Sequence, residues 1–170
     1  VPLVESLRNG RGTEDDAPTV TDRRGQPILH RVAAMPASGP WRLAVPLDGS
    51  ALAEHALSYV LAISRIQPVQ VHLVHVHESG DIDRAHDYLG LVAAAMREHC
   101  DDVVPSVIVG VPASAIVAHV VEHSVVMVVM TSHGRTGLRR VIAGSVAVEV
   151  IAAAPCSVLT VPVQTSDGTS

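Results

Sequence analysis

The chain has 170 residues, of which 48% are hydrophobic, a size that allows one packed domain of ordinary dimensions together with a further segment. Its formal net charge is −5, all twelve basic residues are arginines, and two tyrosines and one tryptophan are its only aromatic residues, so it lacks the clustered cations and stacking rings that bind nucleic acids. Two cysteines are too few for a disulfide framework, and no apolar run is long enough to cross a membrane, so we expect a soluble, reduced, cytoplasmic protein with no nucleic-acid and no membrane partner.

The first segment, 1–40, is rich in Gly, Pro, Asp, Arg and Thr and has no sustained hydrophobic period. This composition is typical of a flexible N-terminal extension or linker. Within it, PILHRVAAM is apolar enough for a short strand, and the pattern leaves open whether that strand packs on the domain. We therefore place the domain at 41–163 and a C-terminal tail at 164–170.

Strand-like and helix-like patterns alternate beyond Trp41. The predicted strands are 42–47, 69–76, 105–109, 125–130 and 157–163. The predicted helices are 50–65, 84–99, 113–123 and 145–153, with Pro112 opening the third and Pro155 stopping the last. This alternation predicts an α/β fold with right-handed crossovers and a mostly parallel sheet covered by helices on both faces. The nearly unbroken apolar run 125–130 indicates a central strand that is buried on both sides.

The loops at the carboxyl ends of the strands carry the candidate site residues, because ligands of parallel sheets bind there. The loop after the first strand reads PLDGS and puts the carboxylate of Asp48 just ahead of a helix. Taken alone, Asp48 and Ser50 fit the start of a helix as well as a ligand site.

The loop after the fourth predicted strand reads TSHGRTGLRRVIAGS and contains three glycines and three arginines. Gly134 and Gly137 permit close backbone approach, and Gly144 with Ser145 opens a helix whose free N–H groups and dipole suit an anion. Neither GxxxxGK[ST] nor GxGxxG is present, which excludes a Walker loop and a dinucleotide fingerprint. On these residues alone the loop is either a phosphate site or an ordinary turn, and His133 is either a phosphate contact or a loop cap.

The segments VPLDGS, VHLVHVHE, GVPASAIV, VVMVVMTSHGRTGLRRVIAGSVAVEVI and APCSVLTVPV, in this order, resemble the universal stress protein family. The nucleotide-binding branch of that family carries G-x2-G-x9-G-[ST] after its fourth strand. Here Gly134, Gly144 and Ser145 match its second half, and Thr131 stands at its first glycine. The resemblance implies a universal stress protein domain over 41–163 with a Rossmann-like fold, similar to adenine-nucleotide alpha-hydrolases, in which a five-stranded parallel sheet has the order 3-2-1-4-5.

The resemblance also implies that ATP, with Mg²⁺, lies between the first and fourth strands. Pro46 and Asp48 would lie against the ribose and adenine, and the main chain of Val76 would contact the adenine edge. The helix start at Ser145 and the amide of Val146 would hold the phosphates together with the loop glycines. The complete predicted nucleotide-binding set is Pro46, Asp48, Val76, Thr131, His133, Gly134, Arg135, Gly144, Ser145 and Val146.

No residue of this set is an obvious general base, and the chain has no lysine to neutralise a terminal phosphate. We therefore expect no catalytic residue and a stress-response or signalling protein rather than a fast ATPase. The alternative is a nucleotide-free interaction module of the same fold, in which Thr131 marks the loss of binding. The last predicted strand, 157–163, would leave backbone groups unpaired at a sheet edge, and both this and the resemblance favour a homodimer through that strand.

One further motif is HVVEH at 119–123, which matches the inverted zinc-protease pattern H-x-x-E-H. Helical spacing predicts a buried stripe that includes Val121 and leaves His119 and Glu122 on the solvated face. No third ligand follows at helical spacing, so we predict a solvated helix face and no metal site.

Overall fold

The computed structural model describes residues 35–77, 82–131 and 144–161. The strands are β1 (Trp41–Pro46), β2 (Val69–His77), β3 (Asp102–Val109), β4 (Met127–Thr131) and β5 (Ser157–Val161). The helices are α1 (Ala51–Ser64), α2 (Ile82–Arg97), α3 (Pro112–Glu122) and α4 (Ser145–Ala153). All strand pairs are parallel and the sheet order is β3-β2-β1-β4-β5, which confirms the predicted topology.

The sheet separates two apolar cores because side chains alternate between the faces of each strand. One core lies under α1 and α2 and includes Leu43 of β1 and Val129 of β4. The other lies under α3 and α4 and includes Ala44 and Val128 of the same two strands. Val128 and Val129 are both 0% exposed, so β4 is buried on both faces as its apolar sequence predicts.

Local sequence fixes where three of the helices begin or end. Ser50 caps α1, since its Oγ accepts the N–H of Ala53 at 3.1 Å. Pro112 occupies the first position of α3, where a missing N–H costs no helical hydrogen bond. Ala154 is extended at the end of α4 because it precedes Pro155.

The third strand begins earlier than predicted. It starts at Asp102, whereas the pattern placed its start at Pro105. Proline is tolerated inside a strand at the edge of a sheet, and β3 is such an edge among the described residues. Val103, ahead of the proline, is only 7% exposed and pairs with Val71 of β2, which explains why the strand extends through it.

The helical phase predicted for HVVEH is wrong. His119 is 4% exposed and Val121 is 62% exposed, so the histidine and not the valine lies in the buried stripe of α3. The prediction treated histidine as a solvated residue, but His72 of β2 supplies a buried hydrogen-bond partner for it, with 3.2 Å between His119 Nε2 and His72 Nδ1. Glu122 is exposed, as predicted.

The predicted extension at 1–40 falls outside the described residues except for 35–40, and the predicted tail at 164–170 falls wholly outside them. Both boundaries therefore stay predictions. Among the helices of the described ranges, none is both long and apolar enough to span a bilayer.

Candidate functional site

A cavity of about 300 Å³ opens at the carboxyl ends of the central strands β1 and β4. The chain leaves β1 toward α1 on one face of the sheet and leaves β4 toward α4 on the other, so the two loops separate here and leave a crevice. The order of the strands reverses at this point, and this is where the sequence predicts a ligand.

The cavity brings together seven of the ten residues predicted to bind a nucleotide. These are Pro46, Asp48, Val76, Thr131, Gly144, Ser145 and Val146. The other three, His133, Gly134 and Arg135, lie outside the described residues, as does the remainder of the loop between β4 and α4. That the ten residues contact a nucleotide stays a prediction.

Most of the wall is apolar, and sequence reasoning missed these residues. They are Leu47, Ala53, Val74, Pro112, Ile116, Met130 and Ala147. Val74 was open to prediction, because it lies two residues before Val76 and therefore on the same face of β2. The contribution of α3 could not be predicted, because Pro112 and Ile116 reach the cavity only through the packing of that helix on the sheet.

Asp48 both supports the start of α1 and lines the cavity. Its Oδ1 accepts the N–H of Ser50 at 2.9 Å and the Ser50 hydroxyl at 2.5 Å, and Ser50 in turn caps α1. Gly49 makes this tight turn at φ +78, a conformation that favours glycine. Among the described residues both hydrogen bonds end on Oδ1, so Oδ2 is available to a ligand in the cavity. Helix capping and ligand binding, left as alternatives by the sequence, are compatible in one residue.

The N-terminus of α4 forms the opposite wall. Gly144 is its N-cap residue, with φ −54 and ψ 154, and being a glycine it provides no side-chain cap for the first turn. The amides of the first turn lack intrahelical acceptors, and the helix dipole adds positive potential. No acidic residue lies in that turn, and Ser145 adds an exposed hydroxyl. This end of the helix is suited to an anion.

The cavity thus combines apolar walls, one carboxylate and a helix N-terminus. Apolar walls accept a flat ring, a carboxylate oxygen accepts hydrogen bonds from hydroxyl groups, and free amides bind an anionic group. A ligand with a ring, a sugar and a phosphate matches all three. Within residues 35–77, 82–131 and 144–161, no three His, Cys, Asp or Glu side chains are arranged to hold a metal ion.

Comparison with known proteins agrees with this fold. A family model described as the universal stress protein family matches residues 42–162. A universal stress protein from Archaeoglobus fulgidus is 26% identical, with a TM-score of 0.61 over 72% of this chain and 98% of that one. No curated protein sequence matches the chain at a significant level.

Two similar structures hold a nucleotide. A universal stress protein from Archaeoglobus fulgidus in complex with dAMP is 25% identical, with a TM-score of 0.57 over 72% of this chain and 97% of that one. A universal stress protein in complex with cAMP is 21% identical, with a TM-score of 0.62 over 74% of this chain and 98% of that one, and this second likeness concerns the fold alone.

Proposed function

The chain belongs to the universal stress protein family, and from that premise we propose that it binds ATP, with Mg²⁺, in the cavity between β1 and β4 and acts as a homodimeric stress-response or signalling protein. The observation that carries the proposal is the convergence of apolar walls, the Asp48 carboxylate and the amino end of α4 on one cavity. Each of these three features matches a different part of a nucleotide.

The base and sugar fit the inner part of the cavity. Val74 and Val76 of β2 and Ile116 of α3 offer apolar surface to an adenine ring. Asp48 lines the cavity, and its Oδ2, which has no hydrogen bond from the described residues, is proposed to accept hydrogen bonds from ribose hydroxyls, while Ser50 holds Oδ1 in place. A volume of about 300 Å³ lies at the lower end of the range for small-ligand pockets, on the order of 300–1,000 Å³.

The phosphates fit the outer part. The first-turn amides of α4 and the Ser145 hydroxyl bind the phosphate nearest the sugar, and the predicted contacts His133, Gly134 and Arg135 would extend along the chain of phosphates with Mg²⁺. The dAMP complex of the related Archaeoglobus fulgidus protein supports an adenine nucleotide as the ligand. The proposal of a triphosphate and a metal ion is based on the G-x9-G-S pattern from Gly134 to Ser145.

Binding rather than fast hydrolysis is supported by the chemistry of the walls. Among the described residues that line the cavity, Asp48 is the only one with an ionisable side chain. We assign the Asp48 carboxylate to the ribose hydroxyls, which leaves no other ionisable side chain among the described lining residues to take a proton from an attacking water. We infer that the protein carries or senses ATP.

A homodimer is supported by the end of the sheet at β5. This strand pairs with β4 alone among the described residues and therefore has one open edge. The preceding helix α4 exposes Val148 and Ile151, which are 49% and 48% exposed. Pairing of two β5 strands across a two-fold axis would cover the open edge.

The second candidate function is a nucleotide-free interaction module of the same fold. Thr131 favours it, because its side chain lines the cavity at 7% exposure at a position where the nucleotide-binding pattern has a glycine. A Cβ and a methyl group there take volume that a phosphate would otherwise use.

Calorimetry separates the two functions. The protein is unfolded, freed of any bound nucleotide, refolded, and titrated with ATP and Mg²⁺ and in parallel with adenosine. We expect ATP to bind more tightly than adenosine, which lacks the anion, and we expect the supernatant of the heat-denatured native protein to absorb at 260 nm. A folded protein that binds no ATP at millimolar ligand would favour the interaction module.

A further inference from the structure

Three histidines meet between α3 and β2, away from the cavity. His72 of β2 and His119 of α3 are 3% and 4% exposed, and His123 follows α3 directly. The His72 ring centroid lies 5.2 Å from that of His119 and 5.1 Å from that of His123, and the last two centroids are 4.2 Å apart. We call these three residues the histidine cluster. HVVEH supplies two of them, and the proposed nucleotide site uses none.

A chain of hydrogen bonds fixes which nitrogen carries each proton. Gln70 Nε2 donates to Asp102 Oδ2 at 2.6 Å, so the Gln70 carbonyl oxygen faces the ring of His72. That oxygen can only accept, which puts a proton on His72 Nε2, 3.1 Å away. A neutral His72 then has a lone pair on Nδ1 and accepts from His119 Nε2 at 3.2 Å. Burial favours the neutral form of both rings, and in that form this pattern of contacts puts each proton on Nε2.

We propose that the histidine cluster is a proton-sensitive latch, which fastens the C-terminal half of α3 to the sheet at neutral pH and releases it in acid. A proton added to His72 goes to Nδ1, and the hydrogen bond to His119 is then kept only if His119 moves its own proton from Nε2 to Nδ1. A proton added to His119 goes to its Nδ1, leaves the bond intact and creates a cation in a site that is 4% exposed. In either case a cation forms in a site that is almost fully buried, which costs free energy and favours a conformation that exposes the ring.

The groups around the latch act in the same direction, with one exception. Burial lowers the pKa of His72, the His123 ring and the Arg42 guanidinium lower it further, and the Asp102 carboxylate raises it. Burial, together with the rings of His123 and His72, lowers the pKa of His119 to about 4. Among the described residues, the carboxylate that raises the pKa of His72, that of Asp102, is hydrogen-bonded to Gln70, which in turn contacts His72.

The sign of the pH dependence follows from these directions. In the unfolded chain both histidines take up protons below about pH 6.5, whereas in the folded chain they stay neutral. Stability is therefore fully present above pH 6.5 and falls as the pH falls toward the folded-state value, which for His119 is about 4. Each such group lowers the folding equilibrium constant by up to about tenfold per pH unit in this window.

Release of the latch has a local consequence as well. α3 carries the histidines at its C-terminal end and lines the cavity with Pro112 and Ile116 at its N-terminal end. Its buried residues Ile116 and Val120 pack in the same core as Val74. We therefore expect acid to loosen α3 before it loosens α2, which packs on the opposite face of the sheet.

Hydrogen exchange of the complete chain tests the latch, with EDTA present and no nucleotide added. Protection of the backbone amides of α3 and α2, corrected for the intrinsic exchange rates, is measured at pH 7.5 and pH 5.5. We expect α3 to lose about tenfold or more of its protection at the lower pH, and α2 to lose less. Equal protection of α3 at both pH values overturns the proposal.

Variants assign the effect to the cluster. His119→Gln keeps a donor for His72 Nδ1 but does not titrate, and H72L with H119L replaces both rings by apolar side chains; each is expected to reduce the acid-induced loss in α3. His86→Gln removes an exposed imidazole from α2 and should behave like the parent. If the double variant does not fold, titration of the ring protons of the parent by NMR replaces it, and rings of His72 and His119 that protonate above pH 6 would contradict the latch.

Discussion

Replacement of Gly144 by valine separates ligand binding from folding. Gly144 lines the cavity and is the N-cap residue of α4, with φ −54 and ψ 154. This conformation is open to every residue, so the backbone does not require glycine there. A valine side chain should instead occupy cavity volume beside the first-turn amides and keep a phosphate from reaching them.

The two expected magnitudes differ enough to be told apart. Replacing a glycine reduces the conformational entropy of the unfolded chain, which stabilises the protein by about 0.4–1 kcal/mol where the backbone conformation is compatible. Losing a favourable N-cap residue costs about as much. The free energy of unfolding should therefore change by less than about 1 kcal/mol. Hydrogen bonds to a charged group contribute about 1.5–3 kcal/mol each. Loss of one such bond to a phosphate weakens ATP binding by about ten- to a hundredfold.

Urea unfolding followed by circular dichroism gives the stability, and calorimetry gives the affinities for ATP and adenosine. Gly90→Ala is the matched control, since Gly90 lies in α2 with nothing within 4 Å of an added Cβ and should leave ATP affinity unchanged. The reasoning is refuted if folded Gly144→Val binds ATP within about threefold of the parent, or if adenosine loses as much affinity as ATP.

Three further predictions concern single side chains. Ser145→Ala should weaken ATP binding by about tenfold, near the lower end for a hydrogen bond to a charged group because Ser145 is exposed. Ser58→Ala, at an exposed position of α1 that does not line the cavity, should leave the affinity unchanged, and equal calorimetric affinities for both variants would contradict a phosphate contact. Thr131→Val keeps the shape of the side chain and removes its hydroxyl, so ATP affinity should fall if the hydroxyl is a donor, and an unchanged affinity would show that it is not. Thr160→Arg places an exposed charge on β5 and should yield monomers by light scattering while Thr160→Ser remains dimeric; a parent that is already monomeric at micromolar concentration rules out the dimer.

The sequence predicted the elements because their patterns are local. Strands such as β2 and β4 are short β-branched runs between turn signals, and the helices show apolar residues at helical spacing. The order of the strands came from the resemblance to a family, since periodicity alone does not say which strands are neighbours. Edges of elements were less accurate, as at Asp102, where Pro105 masked the true start of β3.

The residues that line the cavity were predicted only in part, because local patterns reveal some of them and tertiary packing brings in the others. Asp48 and Ser145 were found because strand-end loops and helix starts can be read locally. Ile116 was missed because a residue on a different helix reaches the cavity through tertiary packing. His119 was placed on the wrong face because its partner, His72, is 47 residues away in sequence, and a hydrophobicity pattern gives no sign of a buried polar pair.

The two borders of the sheet differ in a way that limits how copies of this chain can join. Within the described residues one border is β3, which holds Pro105 and so lacks an N–H in mid-strand, and the other is β5, which holds no proline. If copies of this chain pair through β5, as proposed, β3 is a poor partner for β5 because its proline removes one backbone donor. The proposed pairing would therefore join two β5 borders and end at a dimer, and it would not continue from β5 to β3 as a fibre.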